Sequence, residues 1–133
     1  MKFWRIVLTN WINVAGTLLG LQISFTIRLA FFDLQENSID KALVASSILL
    51  LYVAALFLIP YLLGLILADY IFFKYLNLGL STSIKYESIS FLILIILPLF
   101  EDLPGSMITY FLISFFFIVT QKIRKRMLSK SAR

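Results

Sequence analysis

The residues best placed to do chemistry form a polar ridge along the first apolar stretch of the chain. They recur every three or four residues: Asn10, Asn13, Thr17, Gly20, Ser24 and Arg28. On an α-helix this spacing keeps them within about 80° of one another, so they share one face. Such a face either packs against other helices or lines a polar pathway or pocket, and the spacing does not distinguish the two.

Arg28 is the one basic residue well inside an apolar run. A charge at the centre of a bilayer costs at least about 2.5–3.5 kcal/mol, so it needs a partner or a path to water. Among the acids expected on the same side of the membrane, Asp33, Glu101 and Asp102 are possible partners. We predict that Arg28 either snorkels to the interface or forms a structural ion pair with one of these acids, and the alternative is a charge that binds an anionic substrate or ion.

Catalytic and metal-binding sets are not evident in the sequence. The chain has no cysteine and no histidine, which excludes disulfides, thiolate metal sites and imidazole or thiol catalysis. Glu101 and Asp102 are adjacent, but neighbouring loop acids usually point apart into solvent. Neither Gly-rich phosphate-binding motif occurs. We therefore predict no catalytic residue, no metal site and no cofactor.

The amino-acid composition indicates that the chain folds in a membrane and not in water. Of the 133 residues, 61% are hydrophobic and 14% are charged, with a mean hydropathy of +0.96. A soluble domain is about 45–50% apolar and about 25% charged. Too little polar surface is available to cover a water-soluble globule. A soluble domain, a disordered chain and a nucleic-acid-binding module are therefore all poor interpretations, and no nucleic-acid partner is expected.

Four apolar stretches separated by short polar segments predict an all-α fold, a polytopic membrane protein built as a bundle of four transmembrane helices. The predicted spans cover residues 3–32, 42–68, 84–103 and 106–121 of a single integral membrane domain, and a basic tail covers 122–133. A stretch of about 20 apolar residues crosses a hydrocarbon core of about 30 Å. The fourth stretch is short for a full span, so a three-span arrangement is the alternative.

Proline and glycine mark the predicted bends. Pro60 interrupts the second span and predicts a kink, because proline removes a backbone hydrogen bond. Gly79 is expected to break the chain between the second and third spans, and residues 104–105 (Pro-Gly) predict a tight turn before the fourth. Gly64 and Ala68 are four residues apart, a spacing that lets another helix approach closely.

The basic residues are concentrated on one predicted side. With four spans, the termini and the middle loop carry these ten: Lys2, Arg5, Lys74, Lys85, Lys122, Arg124, Lys125, Arg126, Lys130 and Arg133. The acids on that side are Asp69 and Glu87, which we interpret as interface residues that flank spans. Because basic residues are translocated poorly, both termini are predicted to be cytoplasmic, in a plasma (inner) membrane.

The basic tail is also predicted to contact lipid headgroups. Each basic residue near an anionic surface contributes about 1 kcal/mol to membrane binding. The residues assigned to this contact are Lys122, Arg124, Lys125 and Arg126. Membrane lipids are therefore expected partners.

Two functions are compatible with these features. The first is a non-catalytic partner or accessory subunit, including immunity-type binding, which would recognise another membrane protein or a second copy of itself. The second is a small homo-oligomeric transporter or channel with a polar pathway along the first helix. An enzyme is not expected, because no catalytic set is visible.

Overall fold

The structure is a computed structural model that describes residues 2–33, 39–96 and 103–131. Nearly all of these residues are helical, and no strand occurs among them. The all-α prediction is therefore confirmed for the described part of the chain. Fully internal backbone hydrogen bonding is what a segment in hydrocarbon requires, and a continuous helix provides it.

The described residues form five α-helices and two π-helical turns. The helices are α1 (Phe3–Leu8), α2 (Asn10–Arg28), α3 (Ile39–Asp69), α4 (Leu80–Ile96) and α5 (Leu103–Ser131). The π-helical turns Leu29–Asp33 and Tyr70–Tyr75 extend α2 and α3 at their C-terminal ends.

Within the part of the chain that the structure describes, three stretches of helix are long and apolar enough to cross a membrane. They are Phe3–Phe31, Ile39–Tyr75 and Met107–Lys130. The described part of α4 has 17 residues and is shorter than any of them. The fold is therefore that of an apolar helical protein with three candidate spans, and the count of four stays a prediction.

The centre of the bundle is the contact between α2 and α5, and two glycines permit it. A Cβ atom placed at Gly20 would lie 3.3 Å from both Ile113 Cα and the Leu112 carbonyl oxygen of α5. A Cβ at Gly16 would collide with the side chain of Thr120. Small residues allow close backbone approach, which is how apolar helices gain packing energy where no hydrophobic effect separates protein from lipid.

Helix α3 contributes little to this centre. Although it has 31 residues, its buried residues all lie near its ends: Ala42, Ser46, Leu65 and Asp69. The helix continues through Pro60, and Gly64 has no atom of another element within reach of a Cβ. One side of the intervening part of α3 therefore forms an apolar surface that the described residues of the other elements leave largely uncovered.

Several predicted boundaries differ from the structure. Gly79 lies in the non-helical break before α4, where the break was predicted, but α4 already begins at Leu80. Within this break Asn77 takes the left-handed conformation, with φ 49°; asparagine tolerates this region better than most residues. Residues 104–105 lie in the first turn of α5, where proline is accepted because its missing N–H has no intrahelical partner. The basic segment from Lys122 to Ser131 continues α5 as helix.

Candidate functional site

The guanidinium of Arg124 lies at the centre of a buried polar cluster. Its Nε donates to Thr9 Oγ1 at 2.7 Å, and its Nη1 donates to Glu87 Oε2 at 2.7 Å. Its Nη2 donates to Asp69 Oδ1 at 2.6 Å and to the Ile6 carbonyl oxygen at 3.0 Å. Arg124 and Asp69 are 0% exposed and Glu87 is 2% exposed. Buried charges of this kind are stable only when they are paired and hydrogen-bonded.

Amide side chains complete the cluster around the two carboxylates. Asn10 Nδ2 donates to Asp69 Oδ2 at 2.6 Å, and Gln121 Nε2 donates to Glu87 Oε2 at 3.1 Å. Asn13 Nδ2 lies within hydrogen-bonding distance of Asn10 Oδ1 (3.3 Å) and of Gln121 Oε1 (3.4 Å). The cluster therefore connects all five helices through side-chain and backbone hydrogen bonds, and we call it the ion cluster.

A break between α1 and α2 leaves the Ile6 carbonyl oxygen available to accept a hydrogen bond from Arg124. At Thr9 the chain leaves regular α-helical hydrogen bonding: Thr9 N donates to the Ile6 carbonyl at 3.2 Å, in place of the usual donor four residues on. Thr9 Oγ1 also donates to this carbonyl, at 2.6 Å. Ile6 lies in the last turn of α1, where carbonyl groups lack the regular α-helical donor, and its carbonyl oxygen also accepts from Arg124.

The charges of the ion cluster do not balance when both acids are ionised. Arg124 supplies one positive charge, whereas Asp69 and Glu87 supply two negative charges. Within the described part of the chain, Glu87 Oε1 and Asn13 Oδ1 are buried without a hydrogen-bond partner. An uncompensated charge in a low-dielectric interior is costly, so a proton or a cation is expected to accompany the second carboxylate.

The polar ridge of the first span lies against other helices. Its two amides belong to the ion cluster, and Asn13 is 0% exposed. Thr17 Oγ1 and Tyr61 Oη are 2.7 Å apart, and Ser24 Oγ and Thr109 Oγ1 are 2.6 Å apart. In lipid a polar side chain must find a partner within the protein, and these partners lie on α3 and α5.

Arg28 ends α2 and is half-buried. Glu101 and Asp102 lie outside the described residues, and so does the side chain of Asp33. The predicted ion pair between Arg28 and one of these acids therefore stays a prediction.

The four tail residues assigned to lipid headgroups do not share one environment. Lys122, Lys125 and Arg126 are exposed on α5, and Lys125 Nζ donates to Ser81 Oγ at 2.8 Å. Arg124 differs, because it is fully buried and paired with Asp69 and Glu87. The assignment of Arg124 to headgroup contact is therefore wrong: α5 continues inward-facing beyond the end predicted for the fourth span.

The ion cluster was not anticipated as a set, but part of it had a signal in the sequence. Phe117, Gln121, Arg124 and Leu128 are spaced by four, three and four residues, and each is buried in the structure. This helical spacing could have separated Arg124 from its basic neighbours. For Asp69 and Glu87 no comparable local signal exists, since Asp69 directly follows the predicted second span and Glu87 lies in the first turn of the predicted third.

The ion cluster holds the helices together through ion pairs and hydrogen bonds. In the part of the chain that the structure describes, no group of three or more acidic, histidine or cysteine side chains is arranged to hold a metal ion. The donors and acceptors of the cluster bind one another across helix boundaries, and this fixes the relative positions of the helices. Comparison of the chain with protein-family models, with curated proteins and with solved structures found no match.

Proposed function

We propose that the chain is a multi-pass protein of the plasma (inner) membrane, with four spans and with both termini cytoplasmic. The ion cluster supports this proposal, because it draws on the N-terminal parts of the first and third apolar stretches and on the C-terminal parts of the second and fourth. When the N-terminal ends of two helices meet the C-terminal ends of the other two at one level of the bundle, successive helices run in opposite directions. The excess of basic residues at that end of the bundle favours the cytoplasmic side.

A reporter fusion tests this orientation. A protein that fluoresces only in the cytoplasm, fused after Arg133, is expected to fluoresce, because the basic segment is retained on the cytoplasmic side. The same reporter inserted within residues 34–38 is expected to be dark. Fluorescence from the internal insertion only, or from both, would contradict the proposed topology.

We further propose that the protein is a non-catalytic partner or accessory subunit that binds another integral membrane protein through α3. The observation that carries this proposal is the uncovered apolar surface of α3. Six exposed residues follow one another at helical spacing along it: Ile48, Tyr52, Ala55, Ile59, Leu63 and Leu67. We call this surface the outer face of α3. It is uncharged from residue 42 to residue 68, so the partner that fits it is a transmembrane helix.

A matched pair of tryptophan variants tests the outer face. Ala55 and Ala15 are both exposed alanines on apolar helices, but only Ala55 belongs to the outer face. Protein purified in mild detergent is expected to retain a partner in a fixed ratio, measured by native mass spectrometry. Ala55→Trp should abolish that retention, because its indole prevents close helix approach, and Ala15→Trp should not.

Three results would count against the outer face as the binding surface. One is a protein that carries no partner in a fixed ratio; another is equal retention by both tryptophan variants. A complex that contains only second copies of the chain would show self-association instead of a separate partner.

The alternative function, a homo-oligomeric transporter or channel with a pathway along the first helix, has less support. The side chains expected to line that pathway are hydrogen-bonded to other helices, and Gly16 and Gly20 are closed against α5. The arrangement favours a packing seam over a pathway along the polar ridge.

A further inference from the structure

A cavity of about 600 Å³ lies between α3, α4 and α5. This volume is in the range of small-molecule sites, which is about 300–1,000 Å³. Glu87 borders the cavity, and Ser90 and Tyr61 are the other side chains with polar atoms along it. The remaining lining is apolar, so the cavity combines an apolar body with one buried carboxylate.

The aromatic side chains that line the cavity pack against one another. The rings of Phe91 and Phe117 are stacked with their centroids 3.6 Å apart, and the Tyr61 ring meets Phe91 edge-on at 6.0 Å. The faces and edges of such rings suit a large organic ion whose charge is spread over many atoms, and the attraction of a cation to an aromatic face adds to it. A small metal ion would need several oxygen ligands, which this lining does not offer.

The cavity opens towards the membrane. Gly64 and Phe57 are exposed at its edge on α3, and Leu94 is 65% exposed on α4. A molecule dissolved in the bilayer therefore reaches the cavity sideways, between α3 and α4, without crossing water. This favours a ligand that partitions into lipid.

We propose that this cavity binds a lipophilic organic monocation, with the carboxylate of Glu87 as its counter-ion. The charge count of the ion cluster supports this, because Arg124 neutralises only one of two carboxylates. The second oxygen of Glu87 also lacks a hydrogen-bond partner among the described residues. Asp69 is more fully occupied, since its two oxygens accept from Arg124 and Asn10. Glu87 is therefore the carboxylate that can exchange a proton for the charge of a ligand. The site is independent of the outer face proposed for partner binding.

Two probes of the same shape and opposite charge test the site. Tetraphenylphosphonium is a lipophilic cation and tetraphenylborate is its anionic counterpart. Titration of the purified protein in mild detergent is expected to show the phosphonium binding at least tenfold more tightly, because charge-assisted contacts exceed apolar ones in a low-dielectric site. Equal affinities, or tighter binding of the borate, would overturn the proposal and indicate an apolar groove for acyl chains.

Three variants locate the binding. Glu87→Gln retains an oxygen for Arg124 and Gln121 but removes the charge, and we expect at least a tenfold loss of phosphonium affinity. Gly64→Leu adds a bulky side chain at the edge of the cavity without touching the ion cluster, since no atom lies within 4 Å of a Cβ there, and we expect at least a tenfold loss of phosphonium affinity. Ala15→Leu adds bulk at an exposed position of α2 and should bind as wild type does.

Thermal melting identifies variants that fail to fold. If Glu87→Gln fails to fold, the phosphonium affinity of Gly64→Leu still tests the proposal. A folded Gly64→Leu variant with wild-type phosphonium affinity would show that the cavity is not the site. Wild-type affinity in folded Glu87→Gln would show that its carboxylate is not the counter-ion. Neither result would affect partner retention by the outer face, which is measured separately at Ala55.

Discussion

Substituting Arg124 by glutamine is expected to destabilise the protein by about 3–5 kcal/mol, the cost of breaking a buried ion pair by removing one partner. The variant would leave Asp69 and Glu87 buried without their shared cation, and Thr9 and the Ile6 carbonyl would lose a donor. Thermal or denaturant unfolding in detergent measures the effect. Arg126→Gln is the matched control, because Arg126 is exposed two residues away on the same helix.

A second comparison separates two contributions to the loss of stability: the unpaired buried carboxylates and the lost packing of the arginine side chain. In a background of Asp69→Asn and Glu87→Gln, the cluster contains no carboxylate, so the further change Arg124→Gln should cost much less than it does in the wild-type chain. Such non-additivity is expected for residues within one hydrogen-bonded network. An equal loss of stability in both backgrounds, or similar melting of Arg124→Gln and Arg126→Gln, would refute the electrostatic explanation.

Substituting Gly20 by leucine is expected to cost about 1–3 kcal/mol or more, the usual range for overpacking a tightly packed interior. The first carbon of the side chain would already lie 3.3 Å from backbone atoms of α5, which cannot rotate away. The helices must therefore separate, and contacts along the whole α2–α5 seam weaken. We expect a lower melting temperature in detergent and faster proteolysis of the chain.

Gly64→Leu is the control for this prediction, because it makes the same chemical change on another apolar helix. At Gly64 no atom lies within 4 Å of a Cβ, and replacing glycine within a helix removes its conformational penalty of about 0.5–1 kcal/mol. This variant should melt at or above the wild-type temperature. If Gly20→Leu melts as Gly64→Leu does, the close approach of α2 and α5 is not what holds the bundle together.

The helical fold and its inward polar face could be predicted from the sequence because both depend on local pattern. Long apolar stretches predicted helices that the structure contains, with ends displaced by several residues. The spacing of Asn13, Thr17 and Ser24 predicted a common face, and the structure places their partners on other helices. Periodicity reports which residues share a face, but it does not report which helix that face meets.

The ion cluster could not be predicted in the same way because its members are distant in the chain. Arg124 lies 55 residues from Asp69 and 37 from Glu87. Each of the three, taken alone, resembles a charge at a membrane boundary, where positive residues gather for reasons of topology. The tertiary arrangement shows that Arg124 turns inward to meet these two acids, while Lys122, Lys125 and Arg126 face out.

The contacts of Arg124 with Thr9 and Ile6 span 115 and 118 residues. During synthesis the acids at 69 and 87 are made well before the arginine that pairs with both of them. Until that arginine emerges from the ribosome, the two carboxyl groups lack the partner that holds them in the finished bundle. Biogenesis should therefore pass through a loosely associated intermediate, which the insertion of α5 converts into the final bundle in one late step.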